Sequence, residues 1–161
     1  MKSATIAQLK SELNSLEPSE VRDFVLRLAK YKKENKELLT FLLYEGRDVQ
    51  AFIRDIKEEI DEEFLKMNRD TVYLAKKSLR RLLRLISKYA RFIGSPEAEA
   101  ELLIHFIRNV HQSNIPYRGG AVISNLYDNQ LKKIEKLIAA LDEDLQFDWK
   151  QEFEKARAEG Q

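Results

Sequence analysis

Four features of this 161-residue chain have residue types and spacings that could do chemistry: two histidines, an acidic run, a glycine pair and a basic helical face. His105 and His111 lie six apart, which on a helix puts them on different faces. Helical zinc motifs instead place two histidines at i and i+4. There is no cysteine to complete a ligand set, so no metal centre is expected. The acidic run Asp55, Glu58, Glu59, Asp61, Glu62 and Glu63 could in principle supply paired carboxylates. A di-iron bundle also needs Glu-x-x-His on facing helices, and Glu101 stands four residues before His105, the wrong spacing. The run is therefore read as a charged outer face. Tyr117, Arg118, Gly119 and Gly120 form a short polar loop before a helix, where backbone amides could hold an anion. A P-loop needs Lys-Ser/Thr after its glycines, so a simple turn is expected. Serines are present, but nothing fixes a triad. No catalytic residue, cofactor or metal is assigned, and the chain is read as a non-enzyme.

The strongest candidate surface is the set Lys76, Lys77, Arg80, Arg81, Arg84, Lys88 and Arg91. At about 100° per residue these fall on one side of a helix. Apolar residues at Val72, Ala75, Leu79, Leu82, Ile86, Tyr89 and Ile93 fall on the other, in steps of three and four. Such a face could contact phosphates of DNA or RNA, or an acidic protein. The competing reading is a solvated face, or one neutralised by the acidic stretches on either side. Tyr73 is the one obvious aromatic on that side, and base stacking usually needs such groups. Lys plus Arg is 28 against 27 for Asp plus Glu, a balance that argues against a general polyanion binder. A protein-interaction or scaffold module is the leading expectation, with nucleic-acid binding through the same helix as the alternative.

These residues must be positioned by helices. Gly is 5 and Pro 3, few for a β-rich chain, and Leu, Lys, Glu, Arg and Ala dominate. The length suggests one domain, residues 1–161. The N-terminus lacks an uninterrupted apolar segment of the secretory kind. No window approaches the ~20 apolar residues that span a bilayer. The expectation is a cytoplasmic chain without a membrane partner.

In order, Thr5 and Gln8 have capping-box spacing for a first helix ending near Ser15. Pro18 suits the first turn of a second, with Val21, Phe24, Val25, Leu28 and Tyr31 inward. Asn35 is expected to cap a third helix, apolar nearly all round at Leu38, Leu39, Phe41, Leu42 and Leu43 and hence central, closed by Gly46. Asp48 opens a fourth, with a stripe of Val49, Phe52, Ile53, Ile56, Ile60, Phe64 and Met67. The basic helix is expected from Asp70, after a tight connection at Asn68-Arg69. Gly94, Ser95 and Pro96 end it and start a sixth, with Leu102, Leu103, Phe106, Ile107 and Val110 inward. Ser113 to Gly120 is the best candidate for an exposed or mobile loop. A seventh helix packs through Val122, Leu126, Leu131, Ile134, Leu137, Ile138 and Leu141. A last one, capped by Asp142 or Asp144, uses Leu145, Phe147, Trp149 and Phe153. The fold class expected is all-α, with about eight helices in antiparallel pairs, either a HEAT-like stacked layer or an irregular orthogonal bundle.

The order LKSELNSLEPSEV, KELLTFLL, LAKKSLRRLLRLISKYARFIGSPEAEAELLIHFIRN, VISNLYDNQLKKIEKLI resembles an uncharacterised bacterial all-helical family over most of the chain. The resemblance implies an all-α fold and carries no functional residue over to this sequence.

Overall fold

The computed structural model describes residues 1–113, 115 and 121–159, and among them there are eight α-helices and no strand. The glycine-pair loop at 116–120 lies outside the described residues. The chain resolves into two compact units, Met1–Arg47 and Asp48–Gln161. Length alone drew no boundary at that point.

The first unit holds α1 (Ile6–Asn14), α2 (Pro18–Tyr31), α3 (Lys33–Leu43) and a 3-10 turn at Glu45–Arg47. The capping box of α1 is present: the Gln8 amide donates to Thr5 Oγ1 at 3.3 Å, and the Thr5 amide donates to Gln8 Oε1 at 2.9 Å. Pro18 occupies the first turn of α2, where its missing N–H costs nothing. α2 and α3 pack together as a hairpin with Lys32 alone between them. Asn35 does not cap α3. It lies inside the helix, and its Nδ2 donates to the Leu28 carbonyl at 2.8 Å, fastening the turn.

Three further expectations fail in this unit. The second helix does not turn its apolar residues inward: Phe24, Val25, Leu28 and Tyr31 are exposed. The third is not central, since Phe41 is its one buried residue, while Leu42 and Leu43 are 61% and 50% exposed. The physical reason is that hydropathy describes a helix surface and not what covers it. Gly46 is not a left-handed cap. It sits in the 3-10 turn, where an added Cβ would come within 3.2 Å of the Phe41 carbonyl oxygen.

The second unit is a bundle of α4 (Val49–Leu65), α5 (Val72–Ile93), α6 (Pro96–Gln112), α7 (Ala121–Ala139) and α8 (Glu143–Ala158). α6 lies at its centre, touching the other four helices. Its small residues Ala98 and Ala100 let neighbours approach closely, and Leu102, Leu103, Ile104, Phe106, Ile107 and Val110 are buried around it. The α4 stripe is as expected, with Ile53, Ile56, Ile60, Phe64 and Met67 buried. Phe64 and Phe106 stack at 5.6 Å between ring centroids. α7 adds Ile123, Tyr127, Ile134 and Ile138, and α8 adds Phe153 and Ala156. Two expected anchors face water instead: Val122 is 43% and Phe147 64% exposed. Each lies near a helix start, where a side chain can point past the end of its neighbours.

Polar ties give the helix directions. Lys57 pairs with Glu101 at 2.6 Å and Asp61 with His105 at 2.6 Å, so α4 and α6 run parallel. Glu99 pairs with Lys133 at 2.5 Å, and His111 hydrogen-bonds the Tyr127 hydroxyl at 2.7 Å, so α6 and α7 run antiparallel. The glutamates in the first turns of α6 thus do more than complement its dipole. Glu97 accepts from Trp149 Nε1 at 3.0 Å, Glu99 meets α7 and Glu101 meets α4.

Candidate functional site

α5 is held at both ends. It starts at Val72, two residues after the expected Asp70, with Thr71 as its N-cap accepting from the Leu74 amide at 3.2 Å. Gly94 closes it in the left-handed conformation, φ 70°, and its amide donates to the Ala90 carbonyl at 2.8 Å. Ser95 then accepts from the Ala98 amide at 3.3 Å to start α6. Between these caps Ala75, Leu79, Leu82, Ile86, Ala90 and Phe92 are buried. Tyr89 and Ile93 are half-buried against the core. Val72 is not part of the stripe; at the first position of the helix it is 52% exposed.

The cationic residues do not share one environment. Arg81 reaches across to Glu63 of α4 in an ion pair. Lys88 lies 4.6 Å from the centroid of the Tyr89 ring, and Arg91 Nε donates to the Ser87 carbonyl at 3.3 Å. Among the described residues, Lys76, Lys77, Arg80 and Arg84 make no ion pair. Lys77, Arg80 and Arg84 are exposed and Lys76 is half-buried. Lys76, Arg80 and Arg84 follow one another at i, i+4, a row of about 12 Å at the helical rise. Tyr73, 72% exposed, stands one turn before them on the same side. On α4, Asp55, Glu58 and Glu59 are exposed and likewise make no ion pair among the described residues. Neutralisation by the acidic helix therefore reaches Arg81 and leaves an exposed row of cations unpaired.

A polar cluster that the sequence reading missed sits between α4 and α6. His105 Nε2 lies 2.6 Å from Asp61 Oδ1, and Asn109 Nδ2 donates to the same oxygen at 2.8 Å. A carboxylate can only accept, so Nε2 carries the proton of this bond. A cavity of about 380 Å3 opens beside the cluster, lined also by Arg69, Arg108 and Ser113. Three of the polar lining residues are engaged. Arg69 donates to the Phe64 carbonyl at 2.7 Å, Arg108 to Glu152 at 2.9 Å, and the Ser113 hydroxyl to the Val110 carbonyl at 2.8 Å. The arrangement orients an imidazole, while the lining hydroxyl, that of Ser113, is turned to the Val110 carbonyl. The local signal was Glu101, His105 and Asn109 at i, i+4 spacing on one face of α6. Their partners stand 44 to 48 residues away on α4, beyond the reach of any spacing rule. Among the described residues no three His, Asp or Glu side chains gather as a metal-binding group. His105 and His111 point to different helices, α4 and α7.

Glu62, Lys66 and Glu152 titrate away from their ordinary values. A hydrogen bond from Lys155, then one from Arg108, holds the Glu152 carboxyl below the usual range. Hydrogen bonding and charge between Glu62 and Lys66 lower the first and raise the second. All three belong to surface ties. No helix is long and apolar enough to cross a membrane among the described residues. No protein-family model, curated protein or solved structure matches this chain.

Proposed function

We propose that the protein is a non-catalytic interaction module that docks an acidic protein surface on the exposed face of α5. The observation that carries this reading is the row Lys76, Lys77, Arg80 and Arg84, which makes no ion pair among the described residues on a helix whose opposite face is fixed in the core. A rigid backbone spares a partner the cost of ordering the helix, and unpaired cations have no internal bond to break before binding. The charge balance of the chain favours a protein over a nucleic acid. A duplex carries a charge every ~1.7 Å along its axis and suits a strongly basic chain, whereas this one balances 28 basic against 27 acidic residues, and a protein partner can match both signs.

The test is fluorescence anisotropy with a labelled poly-glutamate peptide and a labelled oligonucleotide of equal charge. The peptide is expected to bind more tightly, and Lys77→Glu/Arg80→Glu/Arg84→Glu to weaken it by tenfold or more. Unchanged peptide affinity in that variant rejects the reading. The rival is nucleic-acid binding, favoured by exposed Tyr73 beside the cations. It predicts preference for the oligonucleotide, an affinity falling steeply with salt, and a loss on Tyr73→Ala that the peptide does not show.

A further inference from the structure

The α2–α3 hairpin has two apolar grooves, one on each side, and charge tells them apart. One is lined by Val25, Leu28 and Ala29 of α2 and by Leu38, Leu39 and Leu42 of α3, with Asn35 as its single polar side chain and no charged one. The other has Leu26, Leu39, Leu43 and Tyr44 on its floor but is rimmed by Lys30, Lys33 and Lys36. The uncharged groove is open: Leu28 and Leu42 are each 61% exposed. Phe24 and Tyr31 extend the α2 side of it at i−4 and i+3 from Leu28, 48% and 76% exposed.

We infer that the uncharged groove of the α2–α3 hairpin is a self-association surface, taken by the same groove of a second copy across a two-fold axis. Two hairpins facing in this way form a four-helix arrangement in which Leu28 and Leu42 interleave. Charge argues for this groove and against the other. Facing two copies on the lysine-rimmed side would bring six cations together, and like charges face to face oppose association. Facing them on the uncharged side brings none together. Area argues the same way. Phe24, Val25, Leu28, Tyr31, Leu38 and Leu42 leave on the order of 600 Å2 in water, the top of the range for the largest patch on a monomer. Doubled by the axis, this reaches about 1,200 Å2, the lower edge of what stable interfaces bury. The remaining groups are placed to permit it. Asn35 Nδ2 already donates to the Leu28 carbonyl, so one of its two N–H groups is satisfied before the seam forms.

The experiment is sedimentation equilibrium of the full chain from about 1 to 100 µM, at low and high salt. A mass twice that of the chain is expected, with little salt dependence because no charge lines the contact. Leu28→Glu and Leu42→Glu are expected to give monomers, weakening association a hundredfold or more. Leu26→Glu and Leu43→Glu, on the lysine-rimmed side, are expected to leave the dimer intact. Circular dichroism reports whether each variant keeps its helices. The chain has no cysteine, which allows a second measurement independent of stability. Under oxidation Leu28→Cys is expected to cross-link two copies and Leu43→Cys is not. A wild-type chain that is monomeric at 100 µM overturns the inference, and co-sedimentation of that monomer with phosphatidylcholine vesicles would assign the groove to a lipid surface instead. A dimer broken by Leu26→Glu but not by Leu28→Glu overturns it too.

Discussion

Single side chains divide here into those fixed by the core and those fixed by polar partners. Leu82, 2% exposed on the buried side of α5, belongs to the first group. Leu82→Ala is expected to cost about 2–5 kcal/mol in urea unfolding, from lost burial plus a cavity that close packing cannot fill. Glu152 belongs to the second. Its carboxyl titrates below the usual value because Lys155 and then Arg108 hold the charged form. Its contribution is therefore present above the unfolded value of about 4.3 and is lost as pH falls through the lower folded value. Glu152→Gln is expected to lower the melting temperature at pH 7, with the deficit vanishing in strong acid; a constant deficit at all pH would exclude the ion pair as its cause. The burial of Leu79, Leu82 and Ile86 was legible in the sequence, because helical periodicity reports a face directly. The Asp61–His105–Asn109 cluster was not, because only the α6 half of it follows a local spacing.

At the scale of the element, most of the punctuation was legible, Asn35 and Gly46 excepted, and the coverage was not. Thr5, Asp48, Ser95, Pro96 and Gly94 stand at the helix ends their types predict, since a cap is decided by side chains within three residues of the turn. Gly94 is the sharpest case. An added Cβ there meets nothing within 4 Å, so the requirement for glycine is purely one of backbone conformation at φ 70°. Gly94→Ala is expected to cost about 1 kcal/mol in chemical denaturation; a much larger loss would reveal a packing role. α3 shows the opposite limit. Its run of leucines reads as a central helix, yet Leu42 and Leu43 face water. Composition sets how much apolar surface a helix has, and neighbours alone decide whether it is covered.

At the scale of the whole chain, the all-α class followed from composition and period, while the partition at Arg47–Asp48 did not, because no linker-like residues mark it. Every member of the large core cluster belongs to the second unit, so a fragment of residues 48–161 is expected to unfold cooperatively on its own. Hydrogen exchange should show its slowest amides in α6. A non-cooperative melt of that fragment would mean that residues 1–47 complete the core. The first unit has only Phe41 buried, too little apolar burial to offset the entropy of ordering its helices, so residues 1–47 alone are expected to be unfolded at low concentration.

The central position of α6 also sets an order of events during synthesis. Two of its neighbours, α4 and α5, precede it in the chain. At roughly 5–20 residues per second, Leu79 and Leu82 leave the ribosome about 1–5 s before Phe106 arrives to cover them. During that interval the emerging α5 has an apolar side without its final cover. Through that interval Lys77, Arg80 and Arg84, which make no ion pair among the described residues, give the half-finished bundle a charged side, and like charges on neighbouring nascent chains oppose their association.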